Sequence, residues 1–247
     1  MLMRRFGLLG YPLSHSFSQK YFTAKFEKEG IGDAVYENFA LPQIEALHTI
    51  LERQTDLCGL NVTIPYKKQV LAFLSGSTPA VRKMGACNCV KISHGKLFGY
   101  NTDVFGFKTS LQPFLRPHHK QALILGTGGA SAAVEFVLQE LNIGYRFVSR
   151  TDGERAIGYG ELDASVLSSH HLIINTTPLG MYPKTEEYPD IPYQYITPAH
   201  HLYDLVYNPA ETKFLSKGKA MGASIQNGEE MLVLQAEESW RIWNSID

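Results

Sequence analysis

The segment that most narrows the fold is Ala122-Leu123-Ile124-Leu125, which runs directly into Gly126-Thr127-Gly128-Gly129-Ala130-Ser131 and then into a stretch of small and apolar residues. A buried strand, a glycine-rich turn and a helix, in that order, open a Rossmann-like unit. Glycines let the backbone approach a pyrophosphate, and the helix N-terminus stabilises its charge. The match to G-x-G-x-x-G/A is imperfect, because Ser131 holds the third position. Taken alone, the loop fits a tight strand–helix turn as well as a dinucleotide site.

The rest of the chain supports an α/β reading. Before the loop, strand patterns at Phe6–Gly10, Val35–Phe39 and Leu60–Ile64 alternate with helical patterns at Ser16–Gly30 and Ile44–Arg53. The first of these helices has Phe17, Tyr21, Ala24 and Lys25 at helical spacing. Pro65 is placed to start another helix, in the first turn where its missing N–H is tolerated. Cys89–Ile92 and Lys96–Tyr100, joined by Ser93-His94-Gly95, read as a hairpin. After a helical link over 103–114, a second series begins, with strands at Ala122–Leu125, Arg146–Val148, Leu172–Asn175, Leu202–Leu205 and Ser224–Gln226. Strands alternating with helices imply a parallel sheet. The expectation is two α/β domains, 1–103 and 104–228, with a last helix within 229–247 packing back on the first.

Composition excludes several classes. Hydrophobic residues are 44% and charged residues 19%, an ordinary folded composition. A net charge of -1 gives no electrostatic case for nucleic acid or an anionic membrane. The apolar runs are too short to span a bilayer. Met1–Arg5 leads straight into a strand-like segment, so no signal peptide is read and a cytoplasmic location is expected. The lack of long exposed apolar stretches points to a monomer. Three cysteines fit a reducing compartment. Cys87 and Cys89 lack a second cysteine pair for zinc and read as small side chains on opposite faces of a strand. The pairs His118-His119, His170-His171 and His200-His201 are poor chelators, because adjacent residues do not share a face. No metal is expected.

Three further positions suggest chemistry. The strand after the loop ends in Ser149-Arg150-Thr151. An NAD enzyme usually places an acid there for the ribose hydroxyls; an arginine with two hydroxyl residues suits a 2′-phosphate, which favours NADP(H) over NAD(H). Its bland alternative is a solvated strand-end charge. Lys67 and Asp103 each close a short polar signature ahead of the loop. A lysine ammonium can stabilise charge developing on a ketone oxygen and supply its proton. Asp103 can orient that ammonium and accept a substrate hydroxyl. The alternative is a solvated helix face carrying Lys67 and Lys68, with Asp103 capping the next helix.

Eight stretches resemble shikimate dehydrogenases, in that family's order: Gly10–Ser16, Asn61–Lys67, Gly85–Asn88, Gly99–Asp103, Gly126–Ser131, Asn175–Met181, Tyr203–Pro209 and Asn227–Gln235. The resemblance implies an N-terminal α/β substrate-binding domain facing a C-terminal Rossmann-like NADP-binding domain across a central cleft. It implies reversible NADP-linked reduction of 3-dehydroshikimate to shikimate, on the route to chorismate and the aromatic amino acids. Shikimate contacts carried over are Ser14, Ser16, Asn61, Thr63, Lys67, Asn88, Asp103, Tyr207 and Gln235, with Lys67 and Asp103 catalytic. The cofactor side is Gly126, Thr127, Gly128, Gly129, Ala130, Ser149, Arg150, Thr151, Thr176, Leu205 and Gly228.

These assignments suit a small ring bearing a carboxylate and hydroxyls, which needs many short polar groups. Ser14 also fits a helix N-cap, a role compatible with holding an anion. Thr63 stands at a strand end, where open α/β sheets present ligands. Gln235 shares a helical side with Met231 and Leu232. The chain departs from the family in a short 151–174 segment, in Ser149 where asparagine is common, and in Glu154 where a second basic residue is common; Arg155, one place later, is a substitute. Two rivals stay open: a quinate/shikimate dehydrogenase using NAD or both cofactors, and a non-catalytic regulator that binds NADPH or shikimate.

Overall fold

Strand β1 (Arg4–Gly10), helix α1 (Phe17–Glu29) and strand β2 (Ala34–Ala40) open the computed structural model, followed by α2 (Leu47–Arg53) and β3 (Leu57–Val62). Then come β4 (Gly76–Ser77), α3 (Pro79–Met84), β5 (Cys89–Ser93), β6 (Lys96–Tyr100) and α4 (Thr102–Leu111). The structure describes residues 3–13, 17–150 and 155–246. It divides into two units, Met1–Thr102 with Ala236–Asp247, and Asp103–Gln235.

The first unit holds a six-stranded sheet in the order β2-β1-β3-β5-β6-β4. Its first three strands are parallel, and β5 pairs antiparallel with both β3 and β6. His94 and Gly95, with φ of 49° and 71°, make the two-residue turn between β5 and β6. Alternation along β1 sends Phe6 and Leu9 to opposite faces. Leu9 joins Leu47, Leu60, Val62 and Val70. Phe6 joins Phe22, Phe26, Tyr36 and Trp243.

Several local expectations change. The buried side of α1 is Phe22 and Phe26, not the row from Phe17 to Lys25. Ile44–Ala46 is a 3₁₀ turn ahead of α2. Pro65 does not begin an α-helix: Tyr66 N–H bonds Thr63 O (2.9 Å), and a 3₁₀ turn follows only at Gln69–Phe73. Proline's fixed φ serves a turn as well as a helix start, so the signal did not discriminate. Cys87 precedes β5 and packs on one face, while Cys89 lies on the other.

The second unit continues from α4 with β7 (Gln121–Leu125), α5 (Ser131–Glu140), β8 (Gly144–Ser149), β9 (Ala156–Gly158), α6 (Ala164–Ser169) and β10 (Leu172–Asn175). It ends with β11 (His201–Asp204), α7 (Lys213–Ala220), β12 (Ser224–Gln226) and α8 (Glu229–Trp243), which enters the first unit at Ala236. The strands are all parallel, in the order β12-β11-β10-β7-β8-β9. Counted from β7, this is the 3-2-1-4-5-6 Rossmann order, whose switch point lies between β7 and β10. The shortened segment keeps a third strand, β9. Phe147 of β8 pairs with Ala156 of β9, so the connection is much shorter than the usual crossover of a dozen or more residues.

The three histidine pairs converge. They sit at the N-terminal starts of β7, β10 and β11, which are neighbours in the sheet. The His118 ring lies 5.4 Å from His171, and His171 5.1 Å from His200. Judging each pair alone missed this clustering. Among the described residues, no group of three or more His, Cys, Asp or Glu can hold a metal ion. No helix among them is long and apolar enough to cross a membrane.

Candidate active site

In the second unit the glycine loop joins β7 to α5 at the switch point. Gly126 has φ 98°, and a Cβ there would lie 2.8 Å from Thr177 Cγ2, so glycine is required on both counts. Thr176 Oγ1 donates to Leu125 O (2.8 Å) and braces the same turn. Ser131 Oγ donates to Gly128 O (2.6 Å), closing the loop onto the helix. That explains serine at the third motif position. Thr127, Gly128 and Gly129 are not buried, and a Cβ at either glycine would meet nothing within 4 Å. Ala130 offers no side-chain cap to α5. Bare backbone and a ten-residue helix start without a side-chain cap fit the pyrophosphate of a dinucleotide.

Arg150 follows β8 and is exposed. Ser149 pairs with Gly158, which brings Tyr159 level with Arg150. Burial raises the Tyr159 phenol above its ordinary value, and the Arg150 charge opposes that rise. Arg155 is engaged within the protein. Its guanidinium pairs with Glu135 and lies over the Phe147 ring at 5.5 Å, while Glu135 also accepts from Tyr145 Oη (2.6 Å). Thr151 and Glu154 lie outside the described residues, as do Ser14 and Ser16.

The ends of β10 and β11 are tied by two buried polar side chains that had no assigned role. Asn175 donates through Nδ2 to Asp204 Oδ1 (2.9 Å) and accepts at Oδ1 from Thr177 N–H (3.0 Å) and Thr177 Oγ1 (2.6 Å). Asp204 accepts from Val206 N–H (3.0 Å) and Thr212 Oγ1 (2.6 Å). Burial raises its carboxyl to about 6, against the pull of those hydrogen bonds. The only signal in the sequence was their presence inside motif stretches. Gly228 packs bare against this end: a Cβ would fall 2.2 Å from Leu205 O. The two candidate nicotinamide neighbours are therefore adjacent. Tyr207 is partly exposed, its phenol raised by burial. Gln235 is 8% exposed and donates to Leu232 O (2.9 Å).

In the first unit the candidates gather at the end of β3. Thr63 N–H bonds Leu9 O (2.9 Å), holding it beside β1. Lys67 O accepts from Cys87 N–H (2.8 Å), which frames the lysine beside Asn88. Burial pushes the Cys87 thiol up to about 11, and the nearby Lys67 charge pulls it down in part. Asn88 is 3% exposed; its Oδ1 accepts Thr102 N–H (2.6 Å) and its Nδ2 donates to Thr102 Oγ1 (3.1 Å). Asn61 is 4% exposed, and both ends of its amide are bonded, to Tyr36 Oη and Ser239 Oγ (2.8 Å each). Ser239 and Tyr36 were not anticipated. Asp103 stands in the first turn of α4, next to the Thr102 so anchored.

Comparison with known proteins finds relatives along nearly the whole chain. A family model for the shikimate dehydrogenase substrate binding domain matches residues 8–90. The chain is 36% identical to a shikimate dehydrogenase (NADP(+)) of Caldicellulosiruptor saccharolyticus, over 99% of this chain and 93% of that one. It is 37% identical to one from Methanococcus maripaludis, over 97% and 91%. The crystal structure of shikimate 5-dehydrogenase from Thermus thermophilus with NADP(H) and shikimate superposes with a TM-score of 0.85 at 33% identity, covering 99% and 94% of the two chains.

Proposed function

The chain belongs to the shikimate dehydrogenase family, and we propose that Lys67 and Asp103 carry its chemistry on a substrate held by Thr63, Asn88, Tyr207 and Gln235. The reaction is the reversible NADPH-dependent reduction of 3-dehydroshikimate to shikimate, a step towards chorismate and the aromatic amino acids. Ser14 and Ser16 complete the proposed contacts by family pattern.

NADPH, when bound, supplies the hydride. The loop 126–130 would hold its pyrophosphate, Arg150 with Ser149 and Thr151 its 2′-phosphate, and Thr176, Leu205 and Gly228 its nicotinamide end. As the ketone carbon is reduced, negative charge gathers on its oxygen. The Lys67 ammonium stabilises that charge and gives up a proton to it. Asp103 accepts a hydrogen bond from a ring hydroxyl and orients the ammonium. In the oxidation direction the same groups act in reverse: Lys67 takes the proton as the hydride leaves.

The observation that carries this reading is the Lys67–Cys87–Asn88 frame, which presents a cation beside a buried amide at the open end of a parallel strand. The test is the rate and the shikimate affinity of Lys67→Ala and Asp103→Asn: loss of turnover with retained binding supports it, and wild-type turnover removes these residues from the mechanism. The same reading makes the chain a cytoplasmic monomer. Its three free thiols support a reducing compartment, and sedimentation as a single 27.6 kDa species would support the monomer.

A further inference from the structure

We infer that Ser239 is a positioning residue of the substrate site: its hydroxyl links the Asn61 amide to the Thr102 hydroxyl and thereby braces the Asn88 amide. Four links form one buried chain. Tyr36 Oη donates to Asn61 Oδ1 (2.8 Å), and Asn61 Nδ2 donates to Ser239 Oγ (2.8 Å). Ser239 Oγ meets Thr102 Oγ1 at 3.2 Å, and Thr102 Oγ1 accepts from Asn88 Nδ2 (3.1 Å). Tyr36 and Asn61 are 4% exposed, Asn88 3%, Thr102 1% and Ser239 0%.

The directions follow from which groups can only donate. Thr102 N–H has no acceptor capacity, so Asn88 Oδ1 must face it, and Nδ2 therefore faces the Thr102 hydroxyl. Asn61 Nδ2 likewise only donates, so Ser239 Oγ must accept from it. Ser239 is thus the acceptor on which the Asn61 end depends and a neighbour of the hydroxyl that holds Asn88. Asn61 supports the site from behind, since both ends of its amide are already bonded within the protein. Alanine at 239 leaves a buried N–H without its acceptor and removes the partner behind the Thr102 hydroxyl, so the Asn88 amide keeps its Oδ1 on Thr102 N–H but loses the brace at its Nδ2 end.

The inference rests on the assignment of Asn88 to the substrate. Its test is a double-mutant cycle read by shikimate Kd, with calorimetry on Ser239→Ala, Asn88→Ala and the double variant, and by KM for shikimate and NADP in the active proteins. Ser239→Ala is expected to weaken shikimate by about 10-fold, the loss of one buried hydrogen bond, with KM for NADP within about twofold. In the Asn88→Ala background the same change should cost less than about twofold, because the group it positions is gone. Equal losses for shikimate and NADP, an undiminished effect in that background, or no effect at all would each overturn it. If Ser239→Ala fails to fold, Ser239→Cys keeps the volume with a weaker acceptor: an intermediate shikimate Kd supports the inference, and an unchanged one overturns it. Wild-type protein that neither turns over nor binds shikimate refutes the substrate assignment itself, a result separate from any outcome at Ser239.

Discussion

The backbone carbonyl of Lys67 accepts a hydrogen bond from the N–H of Cys87 at 2.8 Å, although the two residues come from a turn and from the approach to a different strand. That bond holds the lysine by its backbone, independently of the side chain that carries the charge. Lys67→Ala should therefore leave the frame intact and remove only the charge. We predict a fall in kcat of about 10²–10⁴-fold, the usual scale of a lost general acid. The shikimate Kd should change by less than about threefold, because the charge acts mainly in the transition state. Steady-state rates and calorimetry check both numbers, and a loss confined to Kd would make Lys67 a binding group instead.

Arg150, exposed at the end of β8, is the proposed reader of the 2′-phosphate, and nearby Arg155 is paired with Glu135. Arg150→Ala should raise KM for NADPH by about 10-fold or more, the scale of a charge-assisted contact, and leave KM for NADH nearly unchanged. Equal changes for the two cofactors would mean that Arg150 does not read the phosphate.

His201 is fully buried, and burial lowers its imidazole to about 4 from the ordinary 6.5. Burial also lowers His119, His170 and His200, and the nearby charges acting on this group are Arg116, Arg146 and other histidines. The unfolded chain binds protons at these sites near pH 6.5, whereas the folded chain refuses them. The contribution of these histidines to stability is therefore full above pH 6.5 and falls as the pH drops towards 4. His201→Gln should remove about 3 kcal/mol of that acid-side loss, the value of its shift. Urea unfolding at pH 7.5 and 4.5 measures it; parallel losses in both proteins would show that His201 is not a contributor.

Asp204 acts with the opposite sign. Its folded carboxyl sits at about 6 against 3.8 unfolded, so its contribution is fully present below pH 3.8 and is lost as pH rises through 6. Asn at this position keeps the acceptor for Asn175 and Val206 and can donate to Thr212. Asp204→Asn should gain about 3 kcal/mol over wild type between pH 4 and pH 7.5. A difference curve flat across that range would place the Asp204 carboxyl near its ordinary value.

Much of the fold was legible because it rests on local signals. The β7 strand, its glycine loop and the span of α8 follow from apolar runs and punctuation that tertiary contacts did not override. The His94-Gly95 hairpin followed from turn chemistry for the same reason. What stayed hidden depends on long-range partners. Ser239 bonds Asn61 from 178 positions away, and nothing near it in sequence marks a serine on α8 as different from its neighbours. Asp204 and Asn175 lay inside recognised stretches, yet only the β10–β11 register shows that they face each other. Pro65 misled because a turn and a helix start accept the same φ. The histidine belt was missed because its pairs are brought together by strand order, which no one pair encodes.

The central claim is best tested by initial rates of the purified protein, followed by nicotinamide absorbance, with shikimate or quinate against NADP or NAD. The account predicts turnover dominated by shikimate with NADP, and the other combinations at least about tenfold lower in kcat/KM, as expected where a charged group and a matched polar set discriminate. Strong activity with quinate or NAD would contradict the assigned specificity, and absence of turnover in every combination, with both ligands still bound, would contradict the catalytic role of Lys67 and Asp103.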